Sequence, residues 1–106
     1  MADDPMWCIA MFDLPVQTKK QRGEATRFRN LLLDEGFWRV QYSVYVRYAP
    51  TVAGETRRIK TVKSNLPDGG EVRIVYVTDR EWSQGLRFVN EVSTKPDSEP
   101  QQLLIF

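Results

Sequence analysis

The chain opens with a continuous apolar stretch. Residues 6–12 read MWCIAMF, and Asp13-Leu14-Pro15 follows directly. An apolar run of this length that ends at a proline is typical of a β-strand buried on both faces. The pattern therefore predicts a first strand with Asp13 at its end.

Apolar residues at helical spacing come next. They recur every three or four positions as Ala25, Phe28, Leu31 and Leu32. Thr18 and Gln21 match a capping box, in which each side chain satisfies a backbone amide of the first helical turn. Gly36 is a suitable residue for the end of a helix. We therefore expect a helix over residues 18–35.

Residues 37–48 (FWRVQYSVYVRY) are rich in β-branched and aromatic types, which predicts β structure. One parity of this segment carries Val40, Tyr42, Val44, Val46 and Tyr48. Twelve residues are long for a single strand, so we expect a bend or bulge near residues 41–43 that divides it in two. Pro50 ends the segment.

A second helix and a further strand are predicted after Pro50. One face of the helix would carry Val52, Ile59, Val62 and Leu66, and Pro67 would end it. Asp68-Gly69-Gly70 is a turn sequence, and residues 72–77 (VRIVYV) predict a strand. Residues 79–90 leave two alternatives open, a short extra strand and a partly helical connection.

The order of these elements is the β-α-β-β-α-β plan of the ferredoxin-like α+β fold, with both helices on one face of the sheet. We expect this domain to occupy residues 1–93. Residues 94–106 have linker composition at first, but they end in Leu103, Leu104, Ile105 and Phe106. This tail is predicted to add a strand to a sheet edge, in its own subunit or in a neighbouring one.

Composition restricts the chemistry. The chain has no histidine and one cysteine, Cys8. Ser-His-Asp and Cys-His catalysis, histidine-based nucleases and zinc clusters are thereby excluded. Any catalysis has to use carboxylates with a hard cation such as Mg²⁺. The single cysteine, the acidic N-terminus and the lack of a long apolar run predict a cytoplasmic protein that does not enter membranes.

The net charge of +1 conceals an uneven distribution. Residues 14–66 contain eleven Lys and Arg against four acidic residues, and the remainder contains four against ten. Such a distribution can form one basic face for a polyanion, or two solvated helix surfaces. The candidate phosphate contacts are Lys19, Lys20, Arg22, Arg27, Arg39 and Arg47, together with Arg57, Arg58, Lys60 and Lys63 of the second helix.

Four motifs occur in an order that is typical of one family. They are MF-Asp13-LP after the first strand, QRxxxTRFRxxLLxxGF at residues 21–37, QYSVYVR at residues 41–47, and the terminal QQLLIF. Together they resemble the small CRISPR-associated proteins of the Cas-two family, from Met6 to the end of the chain. The helix and tail look like the lineage that accompanies single-protein, RNA-guided DNA-cutting effectors.

The resemblance implies a homodimer in which the terminal strand packs on the partner's sheet. It implies a role in spacer acquisition, where the dimer bridges the CRISPR integrase and holds duplex DNA. It also implies a Mg²⁺-dependent endonuclease activity on RNA or DNA in some members. The family's strand-end aspartate and its aromatic neighbour correspond to Asp13 and Phe12. Its Arg-x-Gln-x-Ser-x-aromatic stretch and early-helix basic residue correspond to Arg39, Gln41, Ser43, Tyr45 and Arg22.

Asp13 has two interpretations. An aspartate after a strand often hydrogen-bonds the following backbone as a turn residue. The resemblance instead implies a metal-binding and catalytic carboxylate. One carboxylate is a weak Mg²⁺ site, but two Asp13 side chains facing each other across a two-fold axis would supply two. Without metal, such a pair would repel and titrate as a unit.

An RNA-recognition-type binding module without a catalytic role is the alternative function, because that domain shares the ferredoxin-like plan. Its central strand should carry a Gly/aromatic RNP1 pattern. Residues 72–78 contain no glycine and one aromatic residue, Tyr76, so the sequence favours this module less.

Overall fold

The structure, a computed structural model, describes residues 5–90. Its elements are β1 (Met6–Asp13), α1 (Lys19–Asp34), β2 (Trp38–Gln41), β3 (Val44–Ala49), α2 (Glu55–Lys63), β4 (Glu71–Thr78) and α3 (Asp79–Ser83). The β-α-β-β-α-β order of an α+β domain is confirmed, and a short third helix follows it. The predicted segment 94–106, with its apolar ending at 103–106, lies outside the described residues.

The four strands form an antiparallel sheet in the order β2-β3-β1-β4. β1 is therefore an inner strand, and Ile9 has Val46 on one side and Val75 on the other. Successive side chains of β1 point to opposite faces, and their burial alternates: Cys8, Ala10 and Phe12 are buried, whereas the residues between them are only half-buried. Within one copy of the chain, the burial predicted for both faces of residues 6–12 is therefore found on one face only.

Both long helices cover the same face of the sheet. Cys8, Ala10 and Phe12 of β1 form the core with Phe28 of α1 and Val62 of α2. Phe28 is fully buried, and the interior of the domain is built around it. The predicted capping box begins α1: the Gln21 amide donates to the Thr18 hydroxyl (3.0 Å), and the Thr18 amide donates to Gln21 Oε1 (3.0 Å).

The predicted bend divides residues 37–48 into β2 and β3. The pairing of the two strands shifts between Arg39 and Gln41, which marks a bulge, and Ser43 has a left-handed φ of 85°. Tyr42 lies in the turn between the two strands and is 74% exposed, whereas Tyr45 of β3 is buried against the helices.

The second helix is shorter than predicted. It begins at Glu55, because Gly54 adopts a left-handed φ of 82° that ends the preceding turn, and it ends at Lys63. Val52 and Leu66 lie outside it and are 51% and 44% exposed. Of the four residues predicted for the apolar face of α2, only Ile59 and Val62 therefore lie within the helix.

Residues 79–90 form the partly helical connection, which was one of the two predicted alternatives. α3 extends over the start of β1, where the Trp82 ring stacks on Trp7 with centroids 4.9 Å apart. The Trp7 indole nitrogen donates to Asp79 Oδ1 at 2.8 Å, and its ring also contacts Trp38 and Tyr48. The three tryptophans are thus a packing cluster at the end of the sheet opposite to Asp13.

None of the helices in the described part of the chain has the length and apolar character that crossing a membrane requires.

Candidate metal and nucleic-acid site

Asp13 is the last residue of β1 and is exposed. It shares the parity of Trp7, Ile9 and Met11, whereas Cys8 and its parity neighbours face the helices. The carboxylate therefore projects from the sheet face opposite to α1 and α2. Within residues 5–90, this carboxylate takes part in no ion pair or side-chain hydrogen bond.

Buried aromatic residues fix the strand end that carries Asp13. The Phe12 ring lies 5.4 Å from the Phe28 ring and 5.6 Å from the Tyr45 ring, measured between centroids. The Phe12 amide also donates to the Ser43 carbonyl at 3.1 Å. The family resemblance also indicated Phe12, Ser43 and Tyr45. These three residues lie next to Asp13 and fix the position of its backbone.

The loop after Asp13 is tied to the first turn of α1. Gln21 Oε1 accepts from the amides of Gln17 (2.9 Å) and Thr18 (3.0 Å). Arg22 Nη1 donates to the carbonyls of Val16 and Gln17, both at 3.1 Å. Arg22 therefore stabilises this loop, a structural role that the sequence did not indicate. The residue is nevertheless exposed.

A single copy of the chain fits Mg²⁺ only in part. Glu71 is the cross-strand partner of Asp13, but it is in an ion pair with Arg73 (3.2 Å). Among residues 5–90, no three acidic, cysteine or histidine side chains cluster as a metal-ligand set. Mg²⁺ keeps several waters and takes one or two carboxylates plus phosphate oxygens. An exposed Asp13 suits that role when another carboxylate or a phosphate completes the site.

Basic side chains of α1 and β2 are exposed. Lys19, Lys20 and Arg27 of α1 and Arg39 of β2 are solvent-accessible, and none of them is in an ion pair within residues 5–90. Arg27 also lines a shallow groove beside α1. These four side chains remain available to an anionic partner.

Arg47 is located differently from what the sequence suggested. Its guanidinium donates to Glu55 Oε2 at 2.6 Å, and the two side chains are 13% and 11% exposed. Cys8 is its cross-strand partner, so Arg47 points towards the helices and not to solvent. Because its charge is paired in the interior, Arg47 is not available as a phosphate contact.

Glu55 is the centre of this buried network, and the sequence did not identify it. It accepts from the Tyr76 hydroxyl at 2.9 Å, and Arg58 Nε lies 3.8 Å from its carboxylate. Arg58 also donates to the carbonyl of Glu35 at 3.3 Å, so Arg58 too is engaged within the domain. Burial raises the pKa of the Tyr76 hydroxyl, and its hydrogen bonding to Cys8 and Glu55 raises this pKa further.

β4 does not occupy the central position in which the RNP1 pattern is expected. β4 is an edge strand, and the strands inside the sheet are β1 and β3. β3 reads VYVRYA and contains no glycine either. The RNP1 pattern is therefore absent from this inner strand as well.

Fold and site together define a small α+β domain that presents a strand-end carboxylate and exposed basic side chains. The model of the CRISPR_Cas2 family, described as CRISPR associated protein Cas2, matches residues 6–84. The chain belongs to this family.

Relatives with the same family name cover nearly the whole chain. The CRISPR-associated endoribonuclease Cas2 of Paracidovorax avenae is 40% identical over 95% of this chain and 94% of its own length. That of Parvibaculum lavamentivorans is 38% identical over 95% and 100%. A solved structure described as a crystal structure of cas2 superposes with a TM-score of 0.58 at 22% identity, covering 95% of this chain and 99% of the other. That structure supports the fold alone.

Proposed function

We propose that this chain acts in CRISPR adaptation as a homodimer that holds duplex DNA and bridges the integrase. We further propose that Asp13 binds Mg²⁺ and supports endonuclease activity on RNA or DNA. The observation that carries the proposal is the set of unpaired cations on α1 and β2, in a member of a CRISPR-associated family. Such a protein would work in the cytoplasm.

The homodimer is supported by the composition of the second sheet face. Ile9 and Met11 of β1 and Val75 and Val77 of β4 share the face opposite to the long helices. Two copies that pack these apolar faces together would bury them. Since Asp13 lies at the end of the same face, a two-fold axis there would direct the two carboxylates towards each other.

A shared ion would resolve the repulsion between two such carboxylates. Mg²⁺ bound there would polarise a phosphodiester and lower the pKa of a bound water. The contribution of this chain is to hold the Asp13 oxygen atoms at a fixed strand end, through Phe12 and the Ser43 carbonyl. Cleavage then depends on the carboxylate, whereas DNA binding depends on the exposed basic side chains of α1 and β2.

Single-stranded RNA is the second candidate substrate. The relatives are named endoribonucleases. Tyr42 is 74% exposed, and the Arg29 guanidinium lies 6.0 Å from the centre of its ring. An exposed aromatic ring beside an arginine is an arrangement on which unpaired bases stack.

Charge reversal on α1 tests the DNA-binding proposal. Each phosphate contact contributes roughly 0.9 to the slope of log K against log salt for duplex DNA. Lys20→Glu/Arg27→Glu should therefore reduce the slope by roughly 2 and weaken binding at least about tenfold, with no change in sequence preference. Fluorescence anisotropy over a series of salt concentrations measures both quantities.

The matched control reverses two exposed arginines of the acidic part of the chain, Arg80→Glu/Arg87→Glu, and should leave the slope unchanged. If both double variants lose the same affinity, binding depends on net charge and not on α1. If neither changes, the basic side chains of α1 do not bind the DNA.

Removal of residues 101–106 tests the terminal strand. If the tail packs on the partner's sheet, its deletion should lower the dimer's thermal stability and shift the protein towards monomer in sedimentation velocity. A truncated protein that remained an equally stable dimer would exclude strand exchange by the tail.

A further inference from the structure

The turn before β4 lies against the strand end that carries Asp13. β4 begins at Glu71, directly after Gly70, and pairs with β1 up to its last residue. Glu71 is opposite Asp13, and Val72 is opposite Phe12. The chain therefore enters the sheet beside the candidate metal site.

Gly70 packs tightly against this strand end. A Cβ atom at position 70 would lie 2.6 Å from the Asp13 carbonyl oxygen, 2.9 Å from Pro15 Cδ and 3.1 Å from Leu14 Cα. These neighbours are backbone atoms and a proline ring, so no side-chain rotation can relieve the overlap. Any side chain at position 70 has to displace the backbone at Asp13 or the turn itself.

The turn is also attached on its other side. The Asp68 amide donates to Glu24 Oε1 of α1 at 3.2 Å. On the opposite flank of Asp13, the Phe12 amide donates to the Ser43 carbonyl. The strand end thus lies between two segments, and the absence of a side chain at Gly70 determines how closely one of them approaches.

We infer that Gly70 is a positioning residue for the Asp13 carboxylate. Its close approach fixes the Asp13-Leu14-Pro15 backbone from the β4 side and thereby sets where the carboxylate points. The inference rests on the proposed metal role of Asp13 and adds a residue that acts on metal binding through the backbone of Asp13.

The neighbouring glycine supplies a matched control. Gly69 and Gly70 have φ values of 77° and 78°, so alanine suffers the same backbone strain at either position. A Cβ atom at Gly69 would meet only Pro15 Cγ at 3.6 Å, an ordinary contact. The difference between Gly70→Ala and Gly69→Ala therefore isolates the contact with the Asp13 segment.

Metal binding is measured on the full chain by titrating Mn²⁺, as a paramagnetic substitute for Mg²⁺, in electron paramagnetic resonance. Gly70→Ala should weaken Mn²⁺ binding at least about tenfold, as expected when the support of a ligand is lost. It should lower kcat at saturating Mg²⁺ without raising KM for the nucleic acid. Gly69→Ala should remain within about twofold of wild type in each quantity. Equal losses in the two variants would overturn the inference.

A metal-free measurement separates this inference from the proposed function. The ¹³C chemical shift of the Asp13 carbonyl should move in Gly70→Ala and stay in place in Gly69→Ala. If wild type binds Mn²⁺ no better than Asp13→Asn, the metal role fails, and the carbonyl shift alone decides whether Gly70 positions Asp13. A carbonyl shift unmoved in Gly70→Ala overturns the inference in either case.

Should Gly70→Ala fail to fold, Pro15→Ala examines the same contact from the other side, because it removes the ring that Gly70 packs against. It should displace the Asp13 carbonyl shift and weaken Mn²⁺ binding. A Pro15→Ala protein unchanged in both would overturn the inference.

Discussion

Asp13→Asn should lower kcat for Mg²⁺-dependent cleavage of RNA or DNA by at least roughly a hundredfold, since Lewis-acid stabilisation supplies several kcal/mol to the transition state. The amide keeps the shape of the side chain but cannot supply a charged ligand. The fold should be unaffected, because the carboxylate is exposed and has no side-chain partner within residues 5–90. Duplex binding should persist, since it depends on cations elsewhere.

Asp34→Asn is the matched control, because it makes the same chemical change at an exposed carboxylate at the end of α1. Wild type, control and Asp13→Asn are compared on RNA and on duplex DNA, with Mg²⁺ and with EDTA. Cleavage should require both Mg²⁺ and Asp13. Equal cleavage by wild type and Asp13→Asn would indicate a contaminating nuclease and exclude the catalytic role.

Glu55→Gln should lower the free energy of unfolding by about 3 kcal/mol, because removing one partner of a buried ion pair leaves the other charge uncompensated. Here the uncompensated group is Arg47, whose side chain is 13% exposed, and Arg58 loses its second carboxylate as well. The Tyr76 hydroxyl also loses its charged acceptor. For a domain of this size, the midpoint of thermal unfolding should fall by roughly 12 °C or more.

The exposed ion pair between Glu71 and Arg73 provides the control, since these side chains are 70% and 64% exposed. Glu71→Gln should change the free energy of unfolding by no more than about 0.5 kcal/mol. Urea denaturation followed by circular dichroism measures both variants. A Glu55→Gln protein as stable as Glu71→Gln would show that the buried network contributes little to the fold.

The elements that the sequence predicts well depend on local signals. The capping box at Thr18 and the bend near residues 41–43 both follow from neighbouring residues, and both are present. The extent of α2 was wrong because Val52 and Leu66 fit the helical spacing, whereas the left-handed conformation of Gly54 prevents an earlier start. Helical periodicity alone does not detect such a break.

The same contrast applies to the site. The apolar run before Asp13 predicted its position at a strand end, which is confirmed. Its role as a metal ligand came from the family resemblance and stays a prediction. Arg47 was assigned from its charge alone, whereas the pairing of β3 with β1 places it on the helix-covered face beside Cys8. Arg47 alternates along the strand with Tyr45 and Ala49, and this spacing was a signal in the sequence that it shares their face. Both residues are buried, so Arg47 needs an interior partner.

The sequence could not predict that Glu55 is the partner of Arg47, nor that Gly70 packs against the Asp13 segment. Glu55 meets Arg47 across an irregular loop, and Tyr76 reaches it from an edge strand. Gly70 is a turn residue in the sequence, and only the tertiary fold brings it to the backbone of Asp13. Both features depend on contacts between segments that are far apart in the sequence.

The stoichiometry of metal binding tests most directly whether two copies of the chain share the Asp13 site. Calorimetric titration of Mg²⁺ or Mn²⁺ into the purified protein should give one ion for every two chains, and no such binding in Asp13→Asn. One ion per chain, or binding that Asp13→Asn leaves unchanged, would contradict a two-fold metal site at the end of β1.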